Sequence, residues 1–171
     1  MLRELAIRNF AIIDEMKVSF REGLTVMSGE TGAGKSIIIG AVNLLLGDRA
    51  HGDMIRSNED SAIVEASFAV GGMGTLKDKL RQAGLAEGDE LVIRRIVSRS
   101  GRNRVYINGN LATLAMLAEL GESLVNVCGQ HEHQTILNAE SHIDILDEYA
   151  GLLPLRQEYA ELYEGVRSLR A

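Results

Sequence analysis

Three observations predict an α/β fold for this sequence of 171 residues. Leu24 to Met27 reads as a strand that runs into Ser28-Gly29, and an apolar, helix-length stretch from Ser36 to Leu46 follows, so strand, loop and helix come in succession. Further β-rich runs recur at 2–8, 16–20, 61–70, 91–98 and 102–108, with helical stretches among them. Trp is absent and Phe and Tyr number only 3 and 4, so the core must be aliphatic, as is common where helices cover a sheet.

The elements can be justified in order. Runs 2–8 and 16–20 suit a hairpin or meander, and Arg21-Glu22-Gly23 makes the turn that leads into Leu24. Gly47 can end the first helix. Ser61 to Val70 is a strand, Gly71 to Gly74 a break, and Leu76 to Leu85 a short helix with Lys77, Lys79 and Arg81 on its wet side. Leu91 to Ser98 and Arg102 to Asn108 form a hairpin across Ser100-Gly101, closed by Asn108-Gly109. Leu111 to Leu120 is an apolar helix, Leu124 to Val127 a short strand, and 129–134 a polar loop at that strand's carboxyl end. Ser141 and Asp144 suggest a capped helix running to Tyr149, before Gly151.

After Pro154 the apolar residues Leu155, Tyr159, Leu162, Val166 and Leu169 are spaced four, three, four, three, a heptad seam of about two repeats. An amphipathic helix packed on its own domain would show the same pattern. No stop signal follows Leu169, which favours the start of a coiled coil that continues past residue 171. The expected division is therefore a domain at 1–150 and the beginning of a long helix at 151–171.

Composition narrows the function classes. With 46% apolar and 25% charged residues the chain is an ordinary globular sequence. A net charge of −6 and a pI near 5.3 exclude a polycationic footprint, so any nucleic-acid contact must be local. The single Cys128 can form neither an internal disulfide nor a Cys-x-x-Cys zinc pattern, which fits a reducing compartment. Charges every few residues from Arg3 to Arg8 fit no export signal, and no run reaches the ~20 apolar residues of a membrane span. A cytoplasmic location without membrane contact is expected.

The chemistry lies in Gly29-Glu30-Thr31-Gly32-Ala33-Gly34-Lys35-Ser36, which fits G-x-x-x-x-G-K-[ST], the P-loop. A strand is expected before it and a helix after it, so loop N–H groups and the positive helix end can converge on phosphate. The glycines allow close backbone approach, Lys35 neutralises β- and γ-phosphate oxygens, and the Ser36 hydroxyl ligates Mg²⁺. ATP or GTP is the expected ligand. Hydrolysis needs more, because a carboxylate or Gln must orient the attacking water. The nearest candidate, Ile143 to Glu148, is interrupted by Asp144 and reads as helix, and neither an Asn-Lys-x-Asp nor a Leu-Ser-Gly-Gly segment occurs. The chain is thus expected to bind nucleotide without turning it over. His131-Glu132-His133 invites a metal reading, but His-Glu-x-x-His would need His where Thr135 stands.

Together with Asn9-Phe10, Leu45-Leu46-Gly47-Asp48, the run from Gly101 to Gly109 and Gly129-Gln130-His131-Glu132-His133-Gln134, the P-loop gives a chain that resembles the RecN family, bacterial double-strand-break repair ATPases related to the structural-maintenance-of-chromosomes (SMC) proteins. The wider ABC-type superfamily usually has Asn where Thr31 stands, and Thr31 looks like the RecN form. The resemblance implies a P-loop NTPase of ABC/SMC type with a mixed sheet around the P-loop helix. It implies a split head: this chain is the N-terminal half, and Walker B and the signature motif lie in a C-terminal half across a coiled coil. It further implies a second head sandwiching Mg·ATP, DNA ends as the tethered partner, and a place in the damage-induced SOS response at the nucleoid. Gln130 matches the Q-loop glutamine, which contacts Mg²⁺ and the water region. Arg56 resembles an arginine that reaches nucleotide phosphate, with one residue of spacing different.

One local basic patch stands out. No acidic residue occurs from Leu91 to Ala118, while Arg94, Arg95, Arg99, Arg102 and Arg104 crowd the expected hairpin. Arg102 and Arg104 would share a strand face, a spacing that can meet DNA phosphates without sequence preference. A solvated strand face paired with the chain's excess carboxylates is the other reading. The rival from another class is the nucleotide-binding subunit of an ABC transporter, which shares the P-loop and a Q-loop glutamine. A small P-loop kinase would need an acid and a lid that the sequence does not display.

Overall fold

The computed structural model describes residues 1–29, 34–85, 88–125, 127 and 142–170. Packing divides the chain into two units, Met1–Val125 and Asn126–Ala171.

The first unit is built on six strands, β1 (Leu2–Phe10), β2 (Ile13–Ser19), β3 (Ser61–Ala69), β4 (Glu90–Ser98), β5 (Arg104–Ile107) and β6 (Asn110–Ala112), in the order β2-β1-β3-β4-β5-β6. Every pairing is antiparallel, so the parallel component expected of a mixed sheet is missing among the described strands. Alternation sorts the faces: Ala62, Val64, Ala66 and Phe68 of β3 and Leu91, Ile93, Arg95 and Val97 of β4 are all buried. Helix α1 (Lys35–Leu45) lays Ala41, Leu44 and Leu45 into that core. Helix α2 (Gly74–Gln82) adds Leu76 and Leu80, and α3 (Leu114–Leu124) adds Leu117, Leu120 and Leu124. The core is aliphatic apart from Phe10 and Phe68.

One expected strand does not form among the described residues. Leu24 to Met27 carries no strand pairing, and Leu24 and Val26 are 92% and 75% exposed. A strand exists only through a neighbour that takes its N–H and C=O groups, and among the described residues none lies alongside this segment. Leu124 ends α3 and Val125 is extended past it, while the strand expected at 124–127 includes Asn126, which lies outside the described residues.

The helix expected from Leu111 is displaced. Asn108 and Gly109, at φ 47° and 77°, make the tight turn that Asn-Gly favours, and Asn110–Ala112 return as β6. Thr113 then caps α3, its Oγ1 accepting from Met116 N at 3.2 Å.

The second unit holds α4 (His142–Ala150) and α5 (Leu153–Arg170). Gly151, at φ 68°, ends α4, and Leu152 N donates to the Asp147 carbonyl at 2.8 Å. Arg156 pairs with Asp144 and Asp147, which holds its guanidinium above the ordinary arginine value, the Asp144 hydrogen bond contributing most. The seam residues Leu155, Tyr159, Leu162, Val166 and Leu169 lie on α5 and are exposed.

Candidate functional site

The α1 N-terminus is prepared for an anion. Gly34, at φ 91°, is the residue before the helix, in the left-handed region that glycine enters without strain. Its carbonyl accepts from Ile37 N and Ile38 N, at 3.1 and 3.0 Å. No side chain caps the helix and no acidic residue sits in its first turn, so the remaining first-turn donors stay open to a ligand. Lys35 donates its Nζ to the Gly29 carbonyl, bridging the two ends of the loop. Ser36 is exposed, and its hydroxyl has no partner among the described residues. Glu30, Thr31, Gly32 and Ala33 lie outside the described residues, as do Gln130 and His131 to His133.

The other end of α1 is tied to the sheet. Arg95, 2% exposed, donates its Nη1 to the carbonyls of Leu44 and Asp48, both at 2.7 Å. These groups lie where a helix leaves carbonyls unpaired and its dipole is negative, so the cation is favourable there. Burial pushes the guanidinium below the ordinary arginine value, and the Asp48 carboxylate pulls it back up. Gly47 and Gly121 let α3 approach closely: a Cβ on Gly47 would stand 2.6 Å from Ala118 Cα, and one on Gly121 2.3 Å from the Leu46 carbonyl oxygen.

Arg56 is tied to the turn between β1 and β2. Its Nη1 donates to the Ile12 carbonyl at 2.8 Å, its N–H to Asn9 at 2.9 Å, and its carbonyl accepts from Arg99 Nη2 at 3.1 Å. Asn9 in turn donates its Nδ2 to Glu59 at 2.9 Å. None of these contacts reaches the P-loop helix.

The basic patch breaks up on folding. Arg94 pairs with Glu65, Arg95 is buried, and Arg99 donates to the carbonyls of Glu59 and Arg56. Arg102 and Arg104 alone remain exposed without a partner among the described residues. The inward place of Arg95 was legible, because alternation from Leu91 through Ile93 to Val97 puts it on the buried face. Arg102 and Arg104, expected to share a strand face, are both exposed, with Arg104 opening β5 and Arg102 preceding it.

Residues 1–126 match the model of the RecF/RecN/SMC N-terminal domain. The chain belongs to this family. Within the RecF/RecN/SMC family it is similar to the DNA repair protein RecN of Halalkalibacterium halodurans, 47% identical over 99% of this chain and 30% of that one. It is also similar in fold to a Pyrococcus furiosus Smc head domain with an extended coiled coil, at TM-score 0.62 and 21% identity over 98% of this chain and 46% of that one. A third likeness, at TM-score 0.60 and 22% identity, covers 92% of this chain and 95% of a chain described under ATP-driven dimerization and DNA-stimulated activation of SMC ATPases. The α/β class expected from the sequence is thus the RecF/RecN/SMC head fold. This chain spans under a third of the length of the RecN relatives it matches. Among the described residues no helix is long and apolar enough to cross a membrane, and no group of His, Cys, Asp and Glu is placed to hold a metal ion.

Proposed function

We propose that this chain binds Mg·ATP at the α1 N-terminus as the N-terminal half of a split ATPase head in double-strand-break repair. The observation that carries the reading is the uncapped start of α1 with Lys35 beside it. There Lys35 exchanges the Gly29 carbonyl for phosphate oxygens, the first-turn N–H groups donate to the same phosphate, and the Ser36 hydroxyl is free to ligate Mg²⁺. The donor set suits the ion, since Mg²⁺ takes hydroxyl, phosphate and water oxygens. Gln130 is assigned to the Mg²⁺ and water region on family resemblance, and Glu30 to Ala33 to the phosphate cradle on motif position. Arg56 acts in nucleotide contact only after releasing Ile12.

Residues 1–150 form the half-head and 151–171 begin the coiled coil. The rest of the protein supplies the C-terminal half with its hydrolytic carboxylate, and a second head closes over the nucleotide, so that engagement holds DNA ends at the nucleoid in the cytoplasm. Support comes from the family match and from the share of the RecN relatives that this chain spans. The exposed Leu24 to Met27 segment fits a sheet completed by that other half.

A titration of ATP with Mg²⁺, run beside Lys35→Ala with turnover recorded on the same samples, tests this. Binding without turnover, lost in Lys35→Ala, is expected. Unchanged affinity in Lys35→Ala removes the P-loop reading, and turnover by this chain alone removes the split head.

A further inference from the structure

The sequence holds a single Asn-Gly pair, Asn108-Gly109, and the turn between β5 and β6 is built on it. Asn108 is half-buried and Gly109 exposed. Three features meet at the peptide bond that joins them. The Gly109 N–H makes no hydrogen bond among the described residues, and glycine has no Cβ to shield it. The carbonyl of that peptide accepts from Asn110 Nδ2 at 3.1 Å, which draws electron density from the amide and makes the Gly109 N–H more acidic. The Asn108 carboxamide, by contrast, is held at both ends: its Nδ2 donates to the Leu85 carbonyl at 2.7 Å, and its Oδ1 accepts from Val92 N at 2.8 Å.

Asparagine is a labile residue, and before glycine it carries its own nucleophile. The Gly109 nitrogen attacks Asn108 Cγ, and a new C–N bond forms as the bond from Cγ to Nδ2 breaks. The proton lost from Gly109 N leaves with Nδ2 as ammonia, and a cyclic imide remains. Water then adds to either imide carbonyl and opens the ring, giving aspartate or isoaspartate. The net change is amide and water to acid and ammonia, with no oxidation and no co-reactant besides solvent. In this turn the nucleophile is free and activated while the electrophile is clamped, so Cγ can turn to Gly109 only after the carboxamide leaves Leu85 and Val92.

We propose that Asn108 is a deamidation site gated by this clamp, with Gly109 N as nucleophile and Asn110 as its activating donor. Because reaction waits on release, its rate follows the population in which the carboxamide is free. The product does not restore the clamp. A carboxylate at position 108 has no N–H for the Leu85 carbonyl and sets an anion against that oxygen. Isoaspartate adds a methylene to the backbone of a turn whose register pairs Ile107 with Asn110. Conversion therefore unties the connection after α2 from the β5–β6 turn, and refolding cannot undo it. The proposal stands on the turn alone and is independent of the nucleotide reading.

The test is a time course of peptide mass mapping on the whole chain in mildly alkaline buffer, folded and in concentrated urea. Two variants run beside it: Leu85→Ala, which loosens the buried side chain that anchors the acceptor, and Asn110→Ala, which removes the activating donor. In urea Asn108 should convert ahead of every other asparagine. The folded chain should convert it about tenfold or more slowly, as two hydrogen bonds of ordinary strength allow. Folded Leu85→Ala should recover part of that gap. Asn110→Ala should convert more slowly than the parent chain when folded and at the parent's rate in urea, where the turn is lost. Equal rates for the folded and urea-unfolded parent, another asparagine reacting first, or a folded Asn110→Ala rate at or above the parent's overturns the proposal. If Leu85→Ala does not fold, the comparison of folded and unfolded parent decides. Asn108→Asp gives a readout free of rates: its unfolding midpoint should fall below the parent's, and an unchanged midpoint overturns the loss of the clamp.

Discussion

Arg95 on β4 donates to the Leu44 carbonyl at 2.7 Å, across 51 residues of sequence, and so pins the last turn of the P-loop helix to the sheet. The same Nη1 reaches Asp48 past the helix end. One buried cation thereby adds a short bond to the Leu44 carbonyl, whose backbone bond from Gly47 N is 3.4 Å long, and sits at the negative end of the helix dipole. The position of Lys35 depends on this, because a helix fixed at its C-terminus presents its N-terminus in one place.

Removing that cation should be costly. Arg95→Leu fills the same alternating position with an apolar chain but takes the side-chain donor from the Asp48 carbonyl and leaves Leu44 with only the 3.4 Å bond from Gly47 N, and a buried group left unsatisfied costs about 1–3 kcal/mol. Urea unfolding should show a loss of that size, with Arg95→Lys intermediate because it keeps a charge but has a single donor centre. An unchanged midpoint for Arg95→Leu would show that the tie contributes nothing.

Gly121→Ala tests the contact between α3 and α1. The new methyl would stand 2.3 Å from the Leu46 carbonyl oxygen, a backbone atom that cannot rotate aside, so the helices must separate. Overpacking of this kind costs about 1–3 kcal/mol. Gly165→Ala is the control, since nothing lies within 4 Å of its Cβ. It should match or exceed the parent chain in thermal denaturation, and equal losses in the two variants would dismiss the contact.

How much of this was readable from the residues depends on where their partners lie. The P-loop helix, β3 and the hairpin of β4 and β5 were legible because their signals are local: a Gly-rich loop before an apolar run, and alternation in Ala62 to Phe68 and Leu91 to Val97. The short strand β6 was missed because apolar Leu111 extends the helical pattern, while Asn108-Gly109 and the Thr113 cap both marked the boundary. Leu24 to Met27 shows the reverse error: its pattern is that of a strand, but pairing depends on a neighbour that no local pattern supplies. The arginine patch is redistributed on folding for a third reason. Charge counting ignores direction, and Glu65 lies directly opposite Arg94 across β3 and β4, a pairing set by register.

The exposure of Leu24 to Met27 makes its own forecast. Val26 is 75% exposed, so Val26→Asp should change the stability of this chain by no more than about 0.5 kcal/mol, as surface substitutions do. Its solubility should rise, because an exposed apolar strand-like segment invites pairing between chains. Chemical denaturation and the concentration at which light scattering begins would check the two parts. A loss above about 1 kcal/mol would mean that Val26 is packed in solution.

Gly34→Ala separates conformation from contact at the proposed nucleotide site. A Cβ there would meet nothing within 4 Å, so space is no obstacle, but Gly34 holds φ 91°, where an L residue is strained. The strain is about 1–2 kcal/mol. It can be borne by the folded state, lowering the unfolding midpoint, or relieved by a change in the loop that moves Lys35 away from Gly29. In the first case ATP affinity should match the parent chain, and in the second it should fall, by about tenfold if a strain of this size is relieved by leaving the binding geometry. Lys35 and Ser36 are both retained in this variant, so a drop in affinity belongs to loop geometry alone. Full ATP affinity with an unchanged midpoint would show that the turn relaxes at no cost and that phosphate binding does not need its left-handed form, and would leave Lys35 and the open first-turn donors of α1 as the whole of the site.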